Sequence, residues 1–408
     1  MAKATETSRV TRPSVGQHTA QPWKYAVLLI ALGVAALAAF YGIGGWYFSN
    51  EIYEAAFQVN PPGDDSFDIT FDRGEAESVV LRGDDGSANL FENGRFGLAW
   101  ESGTSLVDGI LRTETAGGRS IVYRQRVAGE EIPAPGSAVL LDPFIWPGDP
   151  KTALDMSFEE VSFPIEGGRA GAWYVEGTTN TWAIFVHGKG APRNEALRLL
   201  PLAVERGYHG MVIDYRNDPG APADPSGIYQ YGLTEWQDVA AAGRYALSNG
   251  ADALVFIGYS MGGANVMSYA LQSPLRNHTI AIILDSPVLD LESAVDHAAA
   301  QRTLPLLPTA VPPGLVDVAK SITSWRFDVD WDATDYVSRW RDLHTPTLIL
   351  QGTDDTTVQI EPAEDLARIR SDIVSLIELP GVGHAVGWNA DPSGYEASVN
   401  AFLDGAGA

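Results

Sequence analysis

The sequence predicts an α/β fold, in which helices cover both faces of a mostly parallel, eight-stranded sheet. The first observation behind this prediction is that short apolar runs alternate with longer stretches of helical periodicity from about residue 151 onward. The second is the number of runs, because eight such runs fit a single open sheet. The third is a serine that stands between two glycines at the end of one run.

The composition excludes several classes of protein. The chain has 408 residues, which is enough for one large or two ordinary domains. Its formal net charge of −25 argues against nucleic acid as a partner, because no basic surface offsets so much acid. The absence of cysteine excludes disulfides and thiolate sites, and the seven histidines lack the spacing of metal ligands. We therefore expect neither a metal nor a cofactor.

The N-terminal region predicts a membrane anchor. Residues 1–24 carry four basic side chains and one acidic one, a net charge of +3, and are interpreted as a cytoplasmic segment. Residues 25–50 contain no charged side chain and are numerous enough to cross a bilayer as a helix. Because positive charge keeps the flanking segment in the cytoplasm, the sequence predicts a single-pass protein of the cell membrane whose acidic remainder lies outside the cytoplasm.

Aromatic rings near both ends of this apolar stretch support the anchor, since such rings favour the headgroup zone of a membrane. They are Trp23, Tyr25, Trp46 and Tyr47. One alternative is a cleaved signal peptide, because Ala36-Leu37-Ala38 satisfies a small-residue cleavage rule. The other is a buried core helix. The long polar lead and the continuation of the apolar run beyond the cleavage site favour an uncleaved anchor.

The chain between the anchor and the sheet divides into two parts. Residues 51–66 are typical of a linker, since their second half reads NPPGDDS. Residues 67–150 contain short alternating runs punctuated by glycine, aspartate and asparagine, which predicts a β-rich accessory segment. The pattern leaves open whether this segment is a small all-β module or an antiparallel extension of the main sheet.

The apolar runs of residues 151–408 are the predicted strands of the main domain. In chain order they are MSFEEVSFP, AGAWYVE, TWAIFVHG, YHGMVIDYR, ALVFIGYS, IAIILDSP, TPTLILQG and IVSLIELP. The stretches between them, such as RNEALRLLPLAVERG, carry apolar residues at helical spacing. Strands that alternate with helices in this way indicate βαβ units.

One of these runs ends in the motif Gly258-Tyr259-Ser260-Met261-Gly262. A strand leads in and a helix rich in small residues leads out, and the turn between them is so tight that only glycine tolerates the approach of neighbouring backbone. Such a turn lifts the serine hydroxyl off the sheet. In a chain with 42 glycines the pentapeptide alone is a weak signal, and its place between strand and helix strengthens it.

A serine hydroxyl needs a base to take its proton and an acid to hold that base. The run TLILQGTDDTTVQ delivers Asp354 and Asp355 into the loop after one predicted strand, and SLIELPGVGHAVGW delivers His384 after the next. A lone aspartate or histidine at such a place is usually structural. The order serine, acid, histidine at three strand ends nevertheless predicts a catalytic triad of Ser260, one of the two aspartates and His384.

The tetrahedral intermediate of such a reaction needs two backbone N–H donors. The residue after the nucleophile, Met261, is expected to supply one. The other is expected from the loop FVHGKGAPRNE after the third predicted strand, with the N–H of Lys189 as donor. His187 of the same loop is interpreted as structural, because it stands at a strand end just before the turn.

Residues 155–405, about 60% of the chain, resemble the α/β-hydrolase fold. Their order of elements resembles its serine-hydrolase branch, which includes esterases, lipases and peptidases of the prolyl-oligopeptidase and S33 types. The family signature G-T-x-D-x-x-V is matched by Gly352, Thr353, Asp355 and Val358. This match implies that Asp355, and not Asp354, is the acid. Lys189 departs from the family, where many relatives have a smaller or apolar residue.

The segment between the sixth and seventh predicted strands is longer than one helix and its loops require. We expect residues 288–345 to form a small helical cap over Ser260, because prolines divide the segment and its apolar side chains need something to cover. Trp325, Phe327 and Trp331 are predicted to line the acyl pocket. The alternative is that these rings only pack the cap onto the body.

The sequence therefore predicts a membrane-anchored serine hydrolase that cleaves a small-molecule ester through an acyl intermediate on Ser260. A peptidase is the first alternative, with Glu195, Arg193, Arg216 and Glu235 available as subsites for a peptide terminus. A non-catalytic binding protein that keeps the fold is the second. The substrate, the oligomeric state and the role of the β-rich segment are left open.

Overall fold

The structure, a computed structural model, describes residues 22–59, 67–84, 86–304 and 309–407. Most of the basic segment predicted over residues 1–24 lies outside these ranges. The proline-rich half of the predicted linker, residues 60–66, and residues 305–308 of the predicted cap also lie outside them.

A long helix, α1 (Pro22–Ile52), begins the described chain and continues as a π-helical segment over Tyr53–Phe57. Within the described residues it is the one helix long and apolar enough to cross a membrane, and its most apolar stretch is fully exposed. A signal sequence near the N-terminus also passes this test of length and composition. The helix runs past Asn50, where a linker was expected, because Ala56 and Phe57 at its end are buried against the body of the protein.

A small antiparallel barrel follows α1. Its strands are β1 (Ile69–Gly74), β2 (Ser78–Gly83), β3 (Phe96–Trp100), β4 (Gly103–Ala116), β5 (Arg119–Arg126) and β6 (Ala138–Asp142). They close in the order β1-β2-β5-β4-β3-β6 around a core that includes Phe71, Leu81 and Val122. The predicted β-rich segment is therefore a separate all-β module and not an extension of the main sheet.

The main sheet has eight strands. They are β7 (Glu159–Ile165), β8 (Gly168–Val175), β9 (Thr181–Val186), β10 (His209–Ile213), β11 (Ala253–Tyr259), β12 (Thr279–Asp285), β13 (Thr347–Gly352) and β14 (Val374–Leu379). Their order is β14-β13-β12-β11-β9-β10-β8-β7, and only the pairs made by β8 are antiparallel. The predicted mostly parallel, eight-stranded sheet is confirmed, and each predicted run forms one strand.

Both faces of this sheet are covered by helices. The helices of this part of the chain, including those of the cap, are α2 (Pro150–Leu154), α3 (Leu200–Glu205), α4 (Trp236–Ser248), α5 (Met261–Gln272), α6 (Leu291–Ala300), α7 (Pro313–Phe327), α8 (Glu361–Ile369), α9 (Gly387–Ala390) and α10 (Pro392–Ala406). Short 3₁₀ segments lie at Arg193–Arg198, Pro274–His278, Asp332–Thr334 and Trp340–Asp342.

Alternate residues of the central strands point to opposite faces. Phe256 of β11 belongs to the core that α4, α5 and α8 cover, whereas Val255 and Ile257 belong to the core that α3 and α10 cover. This alternation follows from the period of two along a strand. A parallel strand buried on both faces is apolar throughout, which is why these runs stand out in the sequence.

The helical cap predicted for residues 288–345 is present, and it contains α6 and α7. Helix α7 packs alongside α1, and the contact depends on small residues of α1. A Cβ on Gly45 would lie only 2.6 Å from Cγ1 of Val318. The hydroxyls of Ser49 and Thr323 are hydrogen-bonded at 3.0 Å. The cap is thus attached to the N-terminal helix as well as to the sheet.

The barrel is joined to the α/β domain through Asn389, a residue with no exposed surface. Its side-chain amide donates to the carbonyl oxygens of Arg95 and Pro143, each at 2.8 Å. Its Oδ1 accepts a hydrogen bond from Nη1 of Arg198 at 2.9 Å. One buried side chain therefore satisfies polar groups of the barrel, of the segment after it and of the helical layer.

We expect Asn389→Ala to lower the free energy of unfolding by about 2–4 kcal/mol, because it leaves two partly buried carbonyls and one buried N–H without their partner. Urea denaturation followed by circular dichroism measures the change. The matched control is Asn277→Ala at an exposed position, which should change stability by less than about 0.5 kcal/mol. Equal effects of the two substitutions would contradict this account of the barrel contact.

Candidate active site

Ser260 stands at a sharp turn between β11 and α5. Its φ of 50° and ψ of −115° lie outside the common regions, a conformation that is unfavourable by about 1–3 kcal/mol. Neighbouring glycines make the turn possible: a Cβ on Gly262 would collide with the carbonyl oxygen of Val186, and one on Gly258 would lie 2.7 Å from the carbonyl oxygen of Gly262. The turn holds the serine hydroxyl at the carboxyl edge of the sheet.

Three side chains from the ends of parallel strands meet at this turn. Ser260 follows β11, Asp355 follows β13 and His384 follows β14. Nε2 of His384 lies 2.9 Å from Oγ of Ser260, and Nδ1 lies 2.7 Å from Oδ2 of Asp355. Since an ionised carboxylate only accepts hydrogen bonds, Nδ1 carries the proton and Nε2 is left to accept the serine hydrogen. A hydroxyl, an imidazole and a carboxylate thus stand in hydrogen-bonded series.

The structure distinguishes the two neighbouring aspartates. The side chain of Asp355 is 1% exposed and accepts hydrogen bonds from Nε2 of Gln351 at 2.9 Å and from the N–H groups of Thr357 and Val358 at 2.8 Å. Asp354 is exposed, and its carboxylate accepts a hydrogen bond from the hydroxyl of the preceding threonine. Asp355 is therefore the carboxylate that is held in place beside the imidazole.

The neighbours of His384 raise its pKa above the usual value of 6.5. Burial favours the neutral ring, but the hydrogen bond and the charge of Asp355, together with the carboxylates of Asp285 and Glu195, outweigh burial. A higher pKa makes Nε2 a stronger base toward the serine proton.

The loop after β9 lies against Ser260. A Cβ on Gly188 would lie 3.3 Å from Cβ of the serine. The N–H of Gly188 donates to Oε2 of the buried Glu195 at 2.7 Å. In the part of the chain that the structure describes, the N–H groups of Lys189 and Met261 have no acceptor, the latter because it lies in the first turn of a helix. These are the two donors that the sequence predicts for an oxyanion.

His187 supports the same loop. Its buried ring stacks on Tyr215 with 4.5 Å between centroids, its Nε2 lies 3.0 Å from Oδ2 of Asp218, and its Nδ1 donates to the carbonyl of Gly188 at 2.9 Å. Burial favours the neutral ring, but Asp218 and the carbonyl raise the pKa of His187 to about 9. Both ring nitrogens are used within the protein, in agreement with a structural role.

A cluster of metal-ligand type includes this histidine. The ligand atoms of His187, Asp214 and Asp218 lie within 4.8 Å of one another. Asp214 pairs with Arg193 at 2.9 Å, and both nitrogens of His187 already make hydrogen bonds. A metal ion would have to displace these partners and bind beside a guanidinium. The cluster is therefore satisfied as a network of ion pairs.

Buried residues that sequence reasoning missed hold the histidine loop. Nη1 of Arg198 donates to the carbonyl of Ala385, the residue after His384, at 2.7 Å. Oγ of Ser286 accepts the N–H of Ala385 at 3.0 Å. The available signal for Arg198 was a lone arginine within the apolar stretch EALRLLPLAV. No motif marks Ser286, because its role comes from a loop 99 positions away.

A mostly apolar cavity of about 560 Å³ opens beside Ser260 and His384. Its walls come from the end of α1, from α6 and α7 of the cap, and from the loops after β9 and β13. Cavities of this size bind small organic ligands or acyl chains.

The three aromatic residues predicted to line the pocket are not part of this cavity, so that assignment is corrected. Trp325 is 78% exposed on α7. Phe327 stacks on Tyr53 with 4.5 Å between ring centroids, and Trp331 contacts Phe57 edge to face at 5.8 Å. Phe327 and Trp331 therefore pack the cap onto the end of the N-terminal helix, which is the alternative that the sequence left open.

Comparison with known proteins identifies relatives of the α/β domain. Residues 183–397 match the family described as the Alpha/beta hydrolase family. A search of curated proteins found no match.

Two esterases are among the solved structures that superpose on part of this chain. An esterase of Pyrococcus furiosus superposes with a TM-score of 0.50 at 17% identity, over 63% of this chain and 95% of its own. A thermophilic esterase of Thermogutta terrifontis superposes with a TM-score of 0.43 at 16% identity, over 61% of this chain and 99% of its own. At these identities the likeness concerns the fold alone.

We expect Asp355→Asn to lower the pKa of His384, because the substitution removes the carboxylate charge that favours the imidazolium. Two-dimensional ¹H–¹⁵N spectra of the histidine rings, recorded against pH and assigned with His384→Ala, measure the pKa. Asp354→Asn is the matched control and should leave that pKa nearly unchanged. A larger shift in the control would identify Asp354 as the partner of the ring.

Proposed function

The chain belongs to the alpha/beta hydrolase family, and from this premise we propose that it is a membrane-anchored serine hydrolase that cleaves carboxylic esters through an acyl intermediate on Ser260. The observation that carries the proposal is the hydrogen-bonded series from Asp355 through His384 to Ser260 beside an apolar cavity.

In the proposed reaction, Oγ of Ser260 attacks the ester carbonyl while Nε2 of His384 takes the hydroxyl proton. Asp355 keeps the proton on Nδ1 and stabilises the imidazolium. The N–H groups of Met261 and Lys189 bind the oxyanion. His384 then gives its proton to the leaving alcohol, and water, activated by the same base, releases the acid. These steps use only side chains, backbone amides and water.

The surroundings of the cavity favour an ester over a peptide. A peptidase that binds a chain terminus needs an unpaired charge in its pocket. Arg216 pairs with Asp238 at 2.8 Å and with Asp224 at 3.1 Å. The carboxylate of Glu235 accepts hydrogen bonds from two backbone N–H groups. Glu195 does line the cavity, but it is bound to the amide of Gly188.

Arg193, the fourth candidate for a peptide subsite, is also bound within the protein. It pairs with Asp214 at 2.9 Å and with Glu160 at 2.8 Å. The rest of the lining is mostly apolar, which suits an acyl chain. Its Glu51 and Arg302 pair with each other, and Nζ of Lys189 donates to a backbone carbonyl.

We expect Ser260→Ala and His384→Ala to lower kcat on p-nitrophenyl esters by about 10⁴-fold or more, and Asp355→Asn by about 10⁴-fold. The amide of the last variant favours the wrong tautomer of the imidazole. Asp354→Asn is the matched control and should cost far less. Reversed effects of the two aspartate variants would make Asp354 the acid.

A fluorophosphonate probe tests the nucleophile directly. The probe should form one covalent adduct on Ser260 in the folded protein and none in Ser260→Ala, as read by mass spectrometry. An unlabelled Ser260 in folded wild-type protein would instead favour the non-catalytic binding protein.

The proposed topology places the N-terminus in the cytoplasm and the hydrolase domain outside it, because the net charge of +3 lies before the apolar helix. Protease added to intact spheroplasts should digest the domain, which an antibody against a C-terminal tag detects. A cytoplasmic marker protein is the control. Protection of the domain until lysis would contradict the topology.

A further inference from the structure

One wall of the cavity is built by the end of the N-terminal helix. Phe48, Ile52 and Ala55 line it from α1 and its π-helical extension. Val295 of α6 and Val316 of α7 line it from the cap. The cavity beside the proposed nucleophile is therefore incomplete without the helix that is proposed to anchor the chain.

Two hydrogen bonds fix this wall to the body of the protein beside the site. Nζ of Lys189, in the loop that lies against Ser260, donates to the carbonyl of Ala55 at 2.8 Å. The hydroxyl of Tyr231 donates to the carbonyl of Ala56 at 2.9 Å. Both acceptors are carbonyls at the end of a helix, which lack intrahelical partners. The end of the anchor is thus fixed to the body of the enzyme beside the nucleophile.

The exposed part of α1 has the length of a membrane span. Every side chain of residues 23–40 is exposed, and packing against α7 begins at Tyr41 and Gly44. These 18 residues extend about 27 Å as a helix, close to the roughly 30 Å of a bilayer's hydrocarbon core. Trp46 and Tyr47 follow, 48% and 44% exposed, where amphipathic rings favour the headgroup layer.

The cavity begins just outside that layer. Phe48 lies about 12 Å along the helix beyond residue 40, whereas a headgroup layer is about 5–8 Å thick. From Phe48 to Ala56 the lined part of the helix extends about another 12 Å. Ser260 lies at the far end, since Ala55 is bonded to Lys189 of the loop that contacts the serine. The mostly apolar cavity therefore extends from Ser260 toward the membrane.

We propose that the anchor helix is also the acyl-binding wall of the active site, and that the substrates are long-chain acyl esters taken from the membrane in which the helix lies. This inference rests on the proposed hydrolase function. The acyl chain lies along α1 with its carbonyl carbon at Ser260. The serine oxygen bonds to that carbon, the leaving alcohol receives the proton from His384, and water then yields the free fatty acid and restores the serine.

The wall is tested in the full-length protein with a matched pair on one helix, Ile52→Trp inside the cavity and Ile43→Trp at a position that is 73% exposed. The readout is the ratio of kcat/KM for p-nitrophenyl palmitate to that for the acetate. In Ile52→Trp the larger ring takes the space of two or more methylenes of the acyl chain, so this ratio should fall at least about tenfold. In Ile43→Trp the ring lies outside the cavity, and the ratio should stay unchanged.

A second matched pair on the cap keeps the test decisive if Ile52→Trp does not fold. Ala299→Trp fills the cavity from α6, and Ala300→Trp places the same ring on the adjacent exposed position. The first should lower the palmitate-to-acetate ratio at least about tenfold, and the second should not. An unchanged ratio in every folded cavity variant overturns the acyl-wall assignment.

The membrane as source is tested by reconstitution. In the first arrangement, wild-type protein is inserted into vesicles of ester-linked phosphatidylcholine. In the second, it is inserted into inert ether-lipid vesicles that are mixed with separate ester-lipid vesicles. Fatty acid should be released at least about tenfold faster in the first arrangement, because anchoring raises the effective concentration of substrate. Equal rates in the two arrangements overturn the membrane source and favour long-chain esters from solution. Absence of turnover on acetate together with an unlabelled Ser260 overturns the proposed function itself, which separates the two failures.

Discussion

The turn of the chain at Ser260 is the constraint on which the rest of the site depends. Because Gly262 has no Cβ, α5 begins directly against the backbone of Val186 at the end of β9. The serine N–H donates to the carbonyl of Asp285 at 2.9 Å, and its carbonyl accepts the N–H of Val288 at 3.2 Å. One strained residue therefore joins the ends of three strands, and it places the serine hydroxyl between the loop after β9 and the start of the cap.

The loop that carries His384 is also held by more distant parts of the chain. Glu92 of the barrel accepts the N–H of Gly383, directly before His384, at 3.3 Å, and burial raises the pKa of this carboxyl. Asn389 connects the same region to the barrel and to Arg198. The barrel, whose role the sequence left open, is thus part of the scaffold that positions the histidine loop.

The N-terminal helix has two structural roles in one element. Its first part is apolar and exposed, whereas its last turns are partly buried and line the cavity. Phe327 and Trp331 of the cap pack on the rings of Tyr53 and Phe57 at the end of this helix. The apolar character of these cap residues indicated that they pack against another part of the protein, but it did not indicate that this part is the end of α1.

The sequence by itself determined the α/β class and the order of the strands along the chain, because strands buried on both faces are continuous apolar runs. It also placed Ser260, Asp355 and His384 at strand ends, since the carboxyl ends of parallel strands share one edge of the sheet. Only the tertiary structure decided that Arg198 supports the histidine loop and that α1 forms a wall of the cavity. Those features are contacts between segments far apart in the chain, and local periodicity carries no information about which distant segment a buried group will meet.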